Sequence, residues 1–586
     1  MNGTVEESNV KSRWMGVDQP VPSTRQRLVL CVACLSLVLL AVLVVQNRGL
    51  WAPDELRYAQ VVQGMGHATA WFVPQLWGDT YTQKPPLYFW LVRAVAPLTN
   101  GVRLVSLLVP IVLAACGLLW LSGRVAAAWY GSRVGSRTII VLATLPLFLL
   151  MSLIGRMDML LALFVTAAVY SFFLGYVEGV AWAKVAGFVW MGLGVLAKGP
   201  FGVMFPLLVA VTALALTGKA GRLRCRETVL GIAALFGLLA VWLVPAVWMQ
   251  GTEYLGELLG PQIIGRAVDG LSHGEPPYFY LWMLPIVLLP WMVCFVPALR
   301  TCWKQWKQEH KDRELWLLCW FGVPLVLLSL VREKLPVYLL PAMPPIAILL
   351  ARYWTGLTAG RESSTSMPLR LASLYAAVVV LGLTTLLSGL LTVGGPTDTV
   401  AYRVVERARE AIEGEILGTL LSSPVLMAGG AVFFVLGLFG SFSLLAGDDR
   451  RLRLAFGTLA AVAPCGQLFL TLAIMPRIDG TQSWRAVAES LAEGRQLGEP
   501  VAACGMRPYF AYYLNGEIAS FPRPESLASF VQTRGPVWCA MYEKELKKIS
   551  RYCVVDDASI GKLPGQVEPI YVVRVEPRWL AEKNDR

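Results

Sequence analysis

Six short polar clusters interrupt an otherwise apolar chain, and each holds residue types that could take part in group transfer. They are Asp54-Glu55 with Arg57 and Tyr58; Tyr81 with Gln83-Lys84-Pro85-Pro86; Arg156 with Asp158; Lys198 in the run AKGP; Arg266, Asp269, His273 and Glu275 in one loop; and Arg332, Glu333, Lys334 and Tyr338 in REKLPVY. Several cations together can hold an anion such as a phosphate. Carboxylates can take a proton from an attacking hydroxyl or steady positive charge developing at a sugar carbon. Trp51, Trp71, Trp77 and Trp90, with the tyrosines, can stack on sugar faces or rest among lipid. A lipid-linked phosphosugar offers all three partners at once: an anionic head, a sugar and a tail for the bilayer.

Each cluster alone has an ordinary explanation. Asp54-Glu55 beside Arg57 also reads as a solvated helix cap, and Arg156 with Asp158 as an ion pair at a helix end. Lys84, Lys198 and Lys334 are of a type that snorkels. His273 is an unremarkable loop histidine, and the aromatics suit interface anchors. What favours a shared cavity is their arrangement along the chain.

The 586 residues are 56% hydrophobic and only 15% charged, against about 25% charged in soluble domains. Apolar runs recur, beginning with 28–45, and about thirteen are long enough to be candidate spans. Among them are 138–153, 279–299 and 371–391. The apolar run 86–98 is too short and reads as an interfacial helix. With the N-terminus inside, alternate loops collect Arg124, Arg133 and Arg137; Lys219 to Arg226; Arg300 to Arg313; Arg352 to Arg370; and Arg450 to Arg453. Basic residues collect in cytoplasmic loops, so the net charge of +12 reads as topology. No motif or basic face points to nucleic acid. The polar clusters then all fall at the external side. Ionisable residues near membrane depth cost roughly 2.5–3.5 kcal/mol each and normally face a cavity or a partner.

The expected fold is therefore an α-helical polytopic membrane protein with a C-terminal soluble α/β domain. Its parts are a cytoplasmic segment over residues 1–27, a membrane domain over 28–476 with an external loop at 48–101, and an external α/β domain over 477–586. The last carries a helical pattern at 484–497 and strand-like runs at 500–504, 537–541, 552–555 and 569–575. Two of Cys504, Cys539 and Cys553 could pair there, and the sequence does not choose. No CxxC or HExxH spacing indicates a metal.

The clusters taken together resemble the GT-C class of membrane glycosyltransferases, and within it the bacterial aminoarabinose transferases of lipid A and the protein O-mannosyltransferases. The motifs that carry the resemblance are Asp54-Glu55-x-Arg57-Tyr58-Ala59, Tyr81-Thr82-Gln83-Lys84-Pro85-Pro86-Leu87, Arg156-Met157-Asp158, Ala197-Lys198-Gly199-Pro200 and Lys334-Leu335-Pro336-x-Tyr338. It implies an inverting transfer at the outer face of the inner membrane. The donor would be a sugar on a polyprenyl phosphate of the undecaprenyl type, the acceptor a lipid A-like lipid or a glycan, and no obligatory cofactor or metal would be needed. By the same resemblance Asp54 and Asp158 are catalytic, and Lys84, Arg266 and Tyr338 hold the donor phosphate. Glu55, Tyr58, Tyr81, Gln83, Arg156, Lys198, His273 and Lys334 line the cavity or the acceptor side. The family usually has Glu-Lys-Pro-Pro where this chain has Gln83-Lys84-Pro85-Pro86. It also has a histidine shortly before the loop arginine, where this chain has Pro261-Gln262. Both departures leave the sugar and the acceptor open. A protein hydroxyl as acceptor is the alternative within the class. A lipid or solute transporter is the alternative outside it, against which stand the one-sided charges and the absence of echoing halves. The oligomeric state is left open.

Overall fold

A computed structural model describes residues 22–259, 275–360, 378, 423–443, 448–496, 498–514, 518–555, 561–563 and 569–578. Arg266, Asp269, His273 and, apart from residue 378, the span expected at 371–391 lie outside the described residues.

The chain is mostly helical, as its long apolar runs require. Among the described residues seven helices are long and apolar enough to cross a membrane, or eight if one bent pair counts as a single span. This is a multi-pass membrane protein. The apolar stretches of Asp158–Val177 and Pro336–Thr358 are 89% buried, against 17% for Thr24–Asn47 and 22% for Arg226–Gln250. The first two therefore form the centre of the bundle, and the second two present their side chains to lipid. Ala181–Lys198 packs between the central Asp158–Phe172 and the peripheral Arg226–Gln250.

Two expected spans are corrected. The run 279–299 is not one helix: Phe279–Val287 and Met292–Glu309 meet at 114°. Pro290 lies in the break and Pro285 in the helix just before it, and proline removes a backbone donor and clashes with the preceding turn. The run 138–153 divides into Ser132–Ala143 and Pro146–Met151, with Pro146 at the start of the second piece. The short run after Pro86 forms Leu87–Val95 and a 3-10 turn, Ala96–Thr99. Together these reach about 20 Å at 1.5 Å per residue, short of a bilayer core.

The C-terminal fold contains the expected helix, Arg485–Gln496, and all four expected strands. Val501–Cys504 lies parallel to both Ala519–Phe521 and Val537–Tyr542. Val537–Tyr542 then pairs antiparallel with Ile570–Glu576, which also takes Val554–Val555 and Gly561–Leu563. The strand Ala519–Phe521 and the helix Pro524–Arg534 were not expected. The boundary expected at 476/477 falls inside the helix Met475–Gln482, which carries the last membrane helix onward. Cys504, Cys539 and Cys553 are free thiols buried in the apolar core of this sheet.

The sheet domain sits on the segment that follows the first apolar helix. Tyr512 Oη donates to Val102 O at 2.6 Å, and Gln60 Nε2 to Tyr509 O at 3.1 Å. Asp479 accepts from the Gly49 backbone N–H and from Trp51 Nε1, each at 2.8 Å. Trp77 and Gly78 both have positive φ, 57° and 89°, as a tight two-residue hairpin turn requires. That turn holds the Trp77 ring edge-on to Tyr509 at 5.7 Å.

Candidate active site

Asp54 and Asp158 each occupy the first residue of a helix, Asp54–Gly64 and Asp158–Phe172. The positive end of the helix dipole favours a carboxylate there. Lys198 is the last residue of Ala181–Lys198, where the dipole favours a cation. The chain must then reverse at once. Gly199 does so at φ +97°, and a side chain on Gly202 would come within 2.2 Å of the Gly194 backbone. Two helices thus touch backbone to backbone just below Lys198.

The two carboxylates are joined by Arg156. Its Nη1 lies 2.5 Å from Asp54 Oδ2, and its Nε lies 3.3 Å from Asp158 Oδ2. Asp54 also pairs with Arg57, and Asp158 with Lys198. Lys84 acts electrostatically on both acids. Four cations therefore surround two carboxylates, an excess that suits an anionic ligand. Burial alone would raise the Asp54 carboxyl, but Arg156 and Arg57 outweigh it and hold the group below its ordinary range. Asp54 is ionised at neutral pH.

Beside this cluster lies a cavity of about 390 Å³. Thr82, Gln83, Lys84, Lys198, Tyr338 and one carboxylate, Glu333, line its polar part, and Phe201, Met204 and Trp242 its apolar wall. The ammonium of Lys198 stands 4.8 Å from the Tyr338 ring centroid, a cation–π distance. Arg57 Nη1 donates to Gln83 Oε1 at 3.4 Å, so Gln83 ties the Asp54 helix to the cavity wall.

Residues expected at the site do not all open onto it. Glu55 is 2% exposed. Its Oε2 and Oε1 meet the Arg48 guanidinium at 2.5 and 2.9 Å, and Oε1 accepts from Gly155 N at 2.7 Å. It is a brace that fixes the segment immediately before Arg156. Tyr58 is 1% exposed and packs edge-on against Tyr88, with ring centroids 5.9 Å apart. Tyr81 is buried against Phe89 at 6.1 Å. Lys334 does not line the cavity; its Nζ donates to Glu275 O at 2.9 Å and to Val331 O at 2.5 Å, which closes the loop before Tyr338. Arg266 and His273 lie outside the described residues.

Three residues that carried no assigned role in the sequence complete the arrangement. Arg57, part of the Asp54-Glu55-x-Arg57-Tyr58 motif, is a direct partner of Asp54. Arg48 closes the first apolar helix and is the counter-ion of Glu55. Asp479 lies far along the chain. Its signal was its position at the start of the last polar segment. Among the described residues, no group of three histidines, cysteines or carboxylates could hold a metal ion.

The family model of dolichyl-phosphate-mannose-protein mannosyltransferases matches residues 83–248. An undecaprenyl phosphate-alpha-4-amino-4-deoxy-L-arabinose arabinosyl transferase of Edwardsiella ictaluri is 29% identical over 416 residues, covering 70% of this chain and 70% of that protein. The enzyme of the same name from an Enterobacter strain is 29% identical over 345 residues, covering 56% of this chain and 60% of that protein. The crystal structure of ArnT from Cupriavidus metallidurans bound to undecaprenyl phosphate superposes with a TM-score of 0.71. It covers 93% of this chain and 97% of that one at 18% identity, a likeness of fold.

Proposed function

We propose, from the premise that this chain has the GT-C membrane glycosyltransferase fold, that it moves a sugar from a polyprenyl-phosphate donor to an extracytoplasmic acceptor with inversion. The observation that carries this is the cation-rich cluster around Asp54 and Asp158, opening beside an amphipathic cavity. Support also comes from the relatives that are named as transferases of an undecaprenyl-phosphate sugar.

In this reading Lys84, Lys198 and Tyr338 receive the donor phosphate, joined by Arg266. The wall formed by Phe201, Met204 and Trp242 receives the start of the prenyl tail. The acceptor oxygen attacks the anomeric carbon from the face opposite the phosphate. The bond from that carbon to the phosphate oxygen breaks, and its electron pair leaves on the polyprenyl phosphate. The cations stabilise the charge growing on that leaving group. Asp54, ionised and held by Arg156, faces the positive charge developing at the sugar carbon. Asp158 fixes Arg156 and Lys198.

A carboxylate with a depressed pKa is a weak base. That supports an acceptor that arrives already anionic, such as a lipid phosphate, over a protein hydroxyl, which would need a base to deprotonate it. Following the positive-inside bias, the site faces the periplasm, the N-terminus lies in the cytoplasm and the C-terminal domain is periplasmic. Lys84, Lys198, Tyr338 and the two aspartates are thus assigned roles that experiment must test. Lipid and glycan mass spectrometry of wild type, a deletion strain and Asp54→Asn is the direct test. A pentose- or hexose-sized mass on an envelope lipid, lost in both mutants, supports the proposal. The same mass lost from secreted proteins instead would make a protein hydroxyl the acceptor, and transfer unchanged in Asp54→Asn would remove Asp54 from the mechanism.

A further inference from the structure

The opposite end of the bundle holds a second concentration of cationic groups that transfer chemistry does not use. Two neighbouring cavities of about 680 and 430 Å³ open there and share Arg133, Thr355 and Ala359 in their linings. Arg352 lines the first, and Arg25, Arg137 and Arg453 line the second. Neither lining includes an aspartate or a glutamate.

The five arginines come from separate parts of the chain. Arg25 lies in the first turn of Thr24–Asn47, Arg133 and Arg137 in Ser132–Ala143, Arg352 in Met343–Thr358, and Arg453 in Asp448–Phe469. Loop arginines on this side of a membrane protein are ordinarily solvated and apart. Here they converge closely enough that Arg25 and Arg133 both repel the charge of Arg137. Arg137 and Arg352 are half-buried, and Arg25, Arg133 and Arg453 stand exposed at the mouth. Arg352 spends one nitrogen on the buried Glu314, at 2.9 Å, while its buried Nη1 has no hydrogen-bond partner among the described residues. Arg137 Nη1 donates to Thr358 Oγ1 at 2.9 Å. No carboxylate among the described residues pairs with Arg25, Arg133 or Arg453.

We infer that these joined cavities form a second anion site, which takes a phosphate group through its arginines. Guanidinium forks match phosphate oxygens in pairs. The lining of the smaller cavity also includes the apolar Val29, Ile140 and Phe456, so the phosphate of a membrane phospholipid fits with its chains beside the peripheral helix Thr24–Asn47. Free phosphate has the same head chemistry. The site is remote from Asp54 and does not depend on the transferase assignment.

The test uses the full chain, purified and passed through mixed vesicles of phosphatidylglycerol and phosphatidylcholine, then examined by native mass spectrometry. Wild type is expected to retain phosphatidylglycerol over phosphatidylcholine. Arg133→Gln and Arg453→Gln should each lower that retention about tenfold, the loss of one charge-assisted contact. Arg133→Lys, which keeps the charge, should fall between, and it decides the matter if a glutamine variant melts early. Inorganic phosphate that competes away the lipid, with the same dependence on Arg133, identifies free phosphate as a ligand. Retention that phosphate does not disturb identifies the lipid headgroup. Equal retention of both lipids with no phosphate binding, or equal retention in wild type and all variants, overturns the inference.

Discussion

Arg156 Nη1 lies 2.5 Å from Asp54 Oδ2, and this contact joins the helix Asp54–Gly64 to the segment that leads into the central helix Asp158–Phe172. The same guanidinium reaches Asp158. Asp54 is therefore both a charged group and a held one, and its neighbour Glu55 holds the other half of the contact by accepting from Gly155 N.

The pair sets a pH dependence. The folded Asp54 carboxyl titrates below its ordinary value of 3.8. A lowered folded pKa contributes stability that is present above 3.8 and lost as pH falls through the lower folded value. The rate is thus expected to show no acid limb from Asp54 between about pH 5 and 8. Arg156→Gln removes the strongest influence opposing burial, so a limb should move upward into the measurable range. A pH–rate profile of both proteins checks this; an unmoved profile separates Arg156 from Asp54.

Asp54→Asn keeps the shape of the side chain and removes its charge. Transfer in purified protein should fall about 10²-fold or more in kcat, with a small change in KM, if the charge acts mainly on the transition state. A rise in KM alone would make Asp54 a binding residue.

Lys84→Ala should weaken binding of a polyprenyl phosphate by about 10–100-fold, as expected for one charge-assisted contact of about 1.5–3 kcal/mol. Binding measured by tryptophan fluorescence or calorimetry reads this directly. Tight binding retained by the variant would move the phosphate elsewhere.

Glu55→Gln should behave differently from Asp54→Asn despite adjacency. The Arg48–Glu55 pair is 0% and 2% exposed, and breaking a buried pair costs about 3–5 kcal/mol. A lowered melting temperature with residual turnover in the folded fraction is expected. Full stability with lost turnover would return Glu55 to the cavity.

Gly202→Ala tests the turn beneath Lys198. The added methyl meets Gly194 C at 2.2 Å and Val195 N at 2.3 Å, and backbone cannot yield cheaply. The two helices must part, so donor binding should weaken although Gly202 touches no ligand. Unchanged donor binding would show that Lys198 is not positioned by this contact.

Much of the protein was legible in its order of residues. Apolar runs separated by basic loops announce a polytopic membrane protein, because lipid admits few other solutions. Asp54, Lys84, Asp158, Lys198 and Tyr338 stood out through their clustering on one expected side of the membrane and through the family motifs that contain them, not one by one. The strands expected at 500–504 and 569–575 were visible as short β-like runs in a polar, turn-rich segment, and they form at 501–504 and 570–576.

Tertiary structure alone decided which charges meet. Asp54 and Glu55 are neighbours in sequence, but successive residues of a helix point about 100° apart, so one meets Arg156 and Arg57 while the other is sealed against Arg48. Lys334 and Lys84 look alike on paper, yet one closes a loop on backbone carbonyls and the other lines the cavity. The docking of Asp479 under Trp51 and the gathering of five arginines at the far end depend on contacts between distant segments. Local patterning carries no record of such contacts, because their energy exists only once the helices have packed.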